Sequence, residues 1–312
     1  MTIATLASNY DEVIPRDLHF EMTPENVTRH WFNGDPWTTH WMNAILAAVP
    51  DGERWVMNSA RRQLSRLTHA GVKQEARAFI RQERIHAREH DEMNASCVAH
   101  GIPIDKCEAV FKVIRETFQH RLSDDMQSSV AAAFEHFTAI ISSVMLDNPD
   151  MFDKTNPELR AMLYWHFVEE TEHKGVSFDV FIDASGGGLR GYTLRTSGMV
   201  FATLVGLPIL IGNQSYLLYK DKQLTNIKSA IKMGKTLFFN PGIMRKTLMG
   251  FFPYFRPGFH PWDDDNKEII NVWKRAFEQT GDTHEAFRRL HDHSLAQRVG
   301  TQESSNPLRQ SA

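Results

Sequence analysis

The sequence predicts an all-α protein built around a four-helix bundle. Two copies of the pattern Glu-x-x-His, at Glu83–His86 and Glu170–His173, each lie in the middle of an apolar stripe with helical spacing. Two further helical segments each carry one acid, Glu53 or Glu135, on an otherwise apolar face. The composition agrees, because 312 residues that are 42% hydrophobic and 23% charged can bury a substantial core.

The segment from Trp165 to His173 is the most informative part of the chain. His166, Glu170 and His173 are spaced i, i+4 and i+7, and these positions share one face of a helix. That face is otherwise apolar from Leu159 to Val180, so the three side chains are expected to be buried. Buried ionisable groups need partners, and a metal ion suits two imidazoles with a carboxylate.

The other three helices repeat the theme of ionisable groups on apolar faces. The stripe of the second copy consists of Ala76, Phe79, Glu83, His86, His90 and Met93. A helix that Asp51 is predicted to cap carries Glu53, and a helix from about Ser123 to Leu146 carries Glu135. Small neighbours of Glu135 leave room for a substrate, so we expect a pocket lined by Ala131, Thr138 and Ser142.

In chain order, four helices therefore supply a Glu, a Glu-x-x-His, a Glu and a Glu-x-x-His. This is the ligand set of ferritin-like di-iron carboxylate bundles. The chain also resembles a bacterial family described as predicted metal-dependent hydrolases. The resemblance rests on Gly52-Glu53-Arg54, Gln82-Glu83-x-x-His86-x-x-x-His90, Glu135-His136-Phe137-Thr138, Trp165-His166-x-x-Glu169-Glu170-x-Glu172-His173-Lys174 and Phe259-His260-Pro261-Trp262. It implies a ferritin-like bundle with extra N- and C-terminal helices and a metal-dependent hydrolytic activity.

The last metal helix resembles that of a second family, the p-aminobenzoate N-oxygenases, which add a third His to the usual ligands. This resemblance implies a metal site formed by Glu53, Glu83, His86, Glu135, His166, Glu170 and His173. We assign no catalytic residue beyond these ligands. His90 and Glu169 lie next to the set, and each is either a further ligand or a partner of one.

The ligand types indicate two metal ions, iron or else manganese. Carboxylates and imidazoles suit these metals, and four carboxylates nearly neutralise two divalent ions. Glu135 or Glu170 could bridge them.

The predicted reaction depends more on the ligands than on the fold. A fold does not fix a reaction, so the ligand pattern is the firmer guide. It favours an O2-dependent oxidoreductase that acts on an apolar or aromatic small molecule, with an external electron donor. A metal-dependent hydrolase of an ester or lipid-like substrate is the alternative, and a non-catalytic metal or oxygen carrier is a third hypothesis.

The chain divides into four segments. Residues 1–49 are rich in aromatic side chains and are predicted to form a lid, and residues 50–185 form the dimetal bundle. Residues 186–299 form an apolar and basic helical extension packed on the bundle, and residues 300–312 form a disordered tail. We expect a cytoplasmic protein, because the N-terminus lacks a secretory pattern and Cys97 and Cys107 read as free thiols. No nucleic-acid-binding signature is present in the sequence.

The extension raises the question of a membrane partner. Residues 197–219 carry no charge and are long enough to cross a bilayer, although Pro208 is expected to break the helix. Between Lys220 and Lys246 there are seven basic residues and one acid. This pattern favours peripheral contact with an anionic membrane, at its inner face. The alternative is an extra helix in the core or at a homodimer interface.

Overall fold

The computed structural model describes the backbone of residues 13–304 and the side chains of residues 13–298. Within this part of the chain the regular structure is helical and contains no strand, so the all-α prediction is confirmed. The α-helices are α1 (Pro36–Leu46), α2 (Val49–Gln63), α3 (Ala70–Ala99), α4 (Ile104–Gln119), α5 (Asp124–Leu146), α6 (Pro157–Glu172), α7 (Val176–Ser185), α8 (Gly188–Lys220), α9 (Ile227–Phe238), α10 (Ile243–Phe251), α11 (Lys267–Thr280) and α12 (Thr283–Ser304).

Helices α2, α3, α5 and α6, with α7, form the centre of the molecule. Helix α2 packs against α3 and α5, and α5 packs against α6 and α7. Helix α5 begins where the sequence predicts, because the Ser123 hydroxyl accepts a hydrogen bond from the Met126 amide at 3.3 Å. The Asn156 side chain caps α6 in the same way, and Pro157 occupies the first turn.

Two local expectations about these helices are wrong. Asp51 does not cap α2, because the helix already starts at Val49, with Pro50 in its first turn. The Asp51 carboxylate instead accepts a hydrogen bond from Arg115 Nε at 2.7 Å. The stripe from Leu159 to Val180 is not one helix, because α6 ends at Glu172 and α7 begins at Val176. The break contains Gly175, where a Cβ would lie 2.8 Å from Trp262 Nε1.

The remaining segments surround this centre. Trp31 and Phe32 are buried in the main apolar cluster, and the ring of Phe20 lies 5.5 Å from that of Trp165. Helices α11 and α12 pack against α6. Helix α12 extends to Ser304, beyond the predicted start of a disordered tail at residue 300; the rest of that tail and residues 1–12 lie outside the described residues. Both cysteines are buried and unpaired.

Helix α8 departs most from expectation. It runs without interruption through Pro208. Pro208 has no N–H to donate to the carbonyl of Leu204, four residues earlier. Both residues are exposed, so water can donate to that carbonyl instead. Both α5 and α8 are long and apolar enough to cross a membrane, but the most apolar window of α5 is 67% buried and that of α8 only 17%. Helix α5 is therefore a core helix and α8 is not, which rules out the core alternative for α8.

Candidate metal centre

Four helices bring the seven predicted ligand side chains into one buried region. Each of them is at most 5% exposed. They are Glu53 from α2, Glu83 and His86 from α3, Glu135 from α5, and His166, Glu170 and His173 from α6 and its C-cap. The helical spacing explains this convergence, since i, i+3, i+4 and i+7 positions share a face.

The seven side chains form two groups in which the potential ligand atoms lie within 4.8 Å of one another. One group consists of Glu53, His86, His166 and Glu170, and the other consists of Glu83, Glu135 and His173. Each group contains carboxylates and at least one imidazole. Each can therefore hold one metal ion with the donor types that iron and manganese accept.

Two carboxylates lie between the groups. Glu170 Oε1 is 3.4 Å from both His86 Nδ1 and His173 Nε2. Glu83 places Oε1 3.0 Å from His173 Nε2 and Oε2 3.8 Å from His86 Nδ1. Glu135, named with Glu170 as a possible bridge, instead lies at one end, with Oε2 3.2 Å from His173 Nε2. The Glu of each Glu-x-x-His pair thus occupies the shared position.

Unsatisfied polar atoms converge on the same spot. Both oxygens of Glu53 and of Glu83 are buried without a hydrogen bond, as are His86 Nδ1 and His173 Nε2. One oxygen each of Glu135 and Glu170 shares this condition. Buried polar groups are normally paired, because an unpaired one costs free energy. A cluster of such atoms, from four carboxylates and two imidazoles, fits the binding of metal ions.

Each of the three imidazoles has a partner on its other side. His86 Nε2 is 3.0 Å from Glu169 Oε2, and His173 Nδ1 is 3.1 Å from Gln82 Oε1. His166 faces Glu170 with Nε2, at 3.6 Å, and His90 with Nδ1, at 3.3 Å. Such contacts fix the orientation of metal-ligating histidines. Glu169 and His90, which the sequence left open, lie here as neighbours of His86 and His166 and belong to neither group.

A charged network lies behind Glu169 and Gln82. Arg16 Nη1 donates to Glu169 Oε1 at 2.8 Å and to Glu172 Oε2 at 3.0 Å. Gln82 also donates to Glu172, and Lys274 Nζ is 2.7 Å from Glu172 Oε1. Sequence reasoning did not assign these roles. Gln82 and Glu172 adjoin ligands in the sequence, which is a signal, but Arg16 is 153 residues away from Glu169 and no spacing could have found it.

The pKa shifts of the buried side chains are those expected of a site that binds cations. Burial and neighbouring carboxylates raise the pKa of Glu53 well above its usual value and that of Glu135 to about 8. Burial lowers the pKa of His86 and His173, but the surrounding carboxylates outweigh it and raise both. Burial would raise the pKa of Glu170, yet the nearby imidazoles hold it well below its usual value. The buried carboxylates and imidazoles therefore favour added positive charge at this site.

The predicted pocket residues lie on α5 as expected. Ala131 is buried in an apolar cluster, Thr138 donates to the Glu135 carbonyl at 3.0 Å, and Ser142 is buried. Their role towards a substrate stays a prediction.

One family model matches this chain, over residues 14–265, and its description is predicted metal-dependent hydrolase. No curated protein and no solved structure matches the chain. The matched range includes every side chain of both groups. The chain therefore belongs to the family of predicted metal-dependent hydrolases.

Proposed function

We propose that this protein is a dimetal enzyme and that it hydrolyses an ester or lipid-like substrate. The observation that carries the dimetal part is the position of Glu83 and Glu170 between two groups of buried ligands. Family membership supports the hydrolytic part.

Two divalent ions would polarise a carbonyl and acidify a water molecule in this position. The chain supplies the geometry. Glu135 lies at one end of the site, Glu53 belongs to the group of His86 and His166, and the partners of the imidazoles keep their rings fixed. The ring of Trp165 lies 4.9 Å from that of His86 and the ring of Phe79 lies 4.8 Å from that of His173, so apolar surfaces limit bulk water.

An O2-dependent oxidoreductase is the second candidate, and the donor set is the observation that favours it. Four carboxylates and three imidazoles without a thiolate suit iron or manganese, and near-complete burial suits a small reactant such as O2. Its organic substrate would be an apolar or aromatic small molecule, and its electrons would come from an external donor.

Metal analysis combined with anaerobic assays separates these proposals. Protein purified without added metal should contain two metal ions per chain. We expect hydrolysis of p-nitrophenyl esters that persists without O2 and is lost in Glu83→Gln but not in Glu92→Gln, a half-buried acid of α3 outside both groups. One metal ion per chain would overturn the dimetal proposal. Bound iron or manganese in excess of zinc, with reductant-dependent O2 consumption and no esterase activity, would replace the hydrolase with the second candidate.

A further inference from the structure

Exposed apolar side chains concentrate in one part of the molecule. Of the 19 large apolar residues exposed among the described side chains, 13 lie between Val200 and Phe252. On α8, Val200, Leu204, Leu207 and Ile211 are 45–71% exposed and are spaced i, i+4, i+7 and i+11. That spacing places them on one face of the helix. A soluble surface rarely exposes such a contiguous apolar stripe without a binding partner.

Helix α8 is attached to the rest of the molecule at both ends. Near its start, Ser129 of α5 donates to the Leu194 carbonyl at 2.6 Å. Near its end, α8 packs against α1 and Leu217 is buried in the main core. Both ends therefore pack against the helical body, which favours an α8 that lies along a membrane surface over one that crosses it, although its length would allow crossing.

Helices α9 and α10 continue the exposed surface and add positive charge. On α9, the exposed Lys228, Lys232 and Lys235 are spaced i, i+4 and i+7, next to the exposed Ile227 and Ile231. Lys232 also lies 3.6 Å from Asp35. Helix α9 touches α8 through Gln214 and Met233, and it forms with α10 a shallow groove of about 410 Å³ lined by Phe238, Arg245, Leu248, Met249 and Phe252.

The charge of this region differs in sign from the rest of the chain. Residues 184–262 contain ten basic residues and one acid, a formal charge of +9, whereas the whole chain carries −3, which leaves −12 for the remainder. The one acid, Asp221, is buried and bound by Arg29, His30 and His40, so it does not offset the exposed lysines.

We propose that the exposed faces of α8, α9 and α10 form a membrane-binding surface that lies in the plane of an anionic lipid bilayer. The apolar side chains enter the interface, and the lysines bind anionic headgroups. A second copy of the chain fits less well, because a symmetric contact would bring the cations of both copies together. This inference concerns a surface outside both metal groups and does not depend on the proposed reaction.

Vesicle co-sedimentation of the full chain tests the inference. Phosphatidylcholine vesicles with phosphatidylglycerol should bind the protein, vesicles without it should bind much less, and high salt should weaken the binding. Lys228→Glu with Lys235→Glu should lower the apparent affinity at least about 25-fold, at about fivefold for each cation near the surface. The control replaces two exposed lysines elsewhere, Lys112→Glu with Lys154→Glu, and should bind like wild type.

A second pair of variants tests the apolar part. Phe239 and Met249 are 75% and 69% exposed, so replacing both with Ser should leave the fold intact but reduce vesicle binding. Equal binding by wild type and the Lys228/Lys235 variant, or no binding to either vesicle, would overturn the proposal. A dimer that ignores vesicles and dissociates on Leu207→Asp would show that the surface joins two copies instead.

Discussion

His166 is the residue on which the third-histidine pattern depends. Its Nε2 lies 3.6 Å from Glu170 Oε1, which is the longest of the distances that join Glu170 to the imidazoles. His166→Ala should lower activity by roughly 10- to 100-fold while most of the metal stays bound, because six ligands remain. Steady-state rates and metal content of the same preparation measure this. A His291→Ala variant, changed at a half-exposed histidine of α12, is the control; wild-type activity in His166→Ala would remove His166 from the site.

A variant of Glu169 can show whether this residue orients His86 or itself binds a metal ion. Its carboxylate accepts from His86 and from Arg16, so it orients an imidazole rather than facing either group. Glu169→Gln keeps the shape but weakens the bond to His86, and metal affinity should fall by on the order of 10- to 100-fold with two sites still present. Chelator competition measures both quantities. Loss of one site, with unchanged affinity at the other, would show that Glu169 is itself a ligand.

At this scale the sequence was a good guide to which side chains converge. Helical periodicity alone puts Glu83 beside His86 and Glu170 beside His173, because residues three apart share a face. It could not show that Glu83, rather than Glu135, lies between the two groups, since that depends on how the helices pack. The interaction of Arg16 with Glu169 is hidden for the same reason.

At the scale of elements, the close approach of α8 to α5 decides where the helix lies. A Cβ at Gly198 would collide with the Ser129 hydroxyl and lie 2.8 Å from the Ser129 carbonyl carbon. Gly198→Ala should therefore destabilise the protein by about 1–3 kcal/mol. Gly206 lies in the same helix with open space around it, so Gly206→Ala should stabilise by about 0.5–1 kcal/mol. Denaturant unfolding of both variants provides the measurement, and equal effects would contradict the predicted contact.

Element boundaries were predicted less well than element types. Helix α5 starts next to Ser123 and ends at Leu146 as expected, but Pro208 lies inside α8 and Gly175 separates α6 from α7. The tendency of proline to break a helix does not hold at Pro208, because packing holds α8 at both ends. The same packing leaves its apolar middle exposed, which no periodicity in α8 alone reveals.

For the whole molecule, metal binding and folding should be linked through protons. In the metal-free protein the pKa of Glu135 is raised to about 8, so Glu135 keeps a proton at pH 7, and the pKa values of Glu53, His86 and His173 are raised as well. The unfolded chain binds these protons less tightly. The stabilisation that these four protonated groups give to the folded protein is therefore lost as the pH rises towards and through their folded-state pKa values. The pKa values of His90 and His166 are lowered by folding, so these two histidines make the protein more stable as pH rises, but only below about pH 6.5.

Two outcomes follow for the window between pH 6.5 and about 8. The free energy of unfolding of the metal-free protein should fall as pH rises, and adding divalent metal at pH 7 should release protons, because the ligands must be deprotonated to bind. Calorimetric titration in two buffers of different ionisation heat counts those protons. Glu135→Gln should release fewer of them than wild type, whereas Glu92→Gln should release the same number. Metal binding without proton release at pH 7 would mean that Glu53, Glu135, His86 and His173 hold no protons there before the metal binds, which would contradict the raised pKa values.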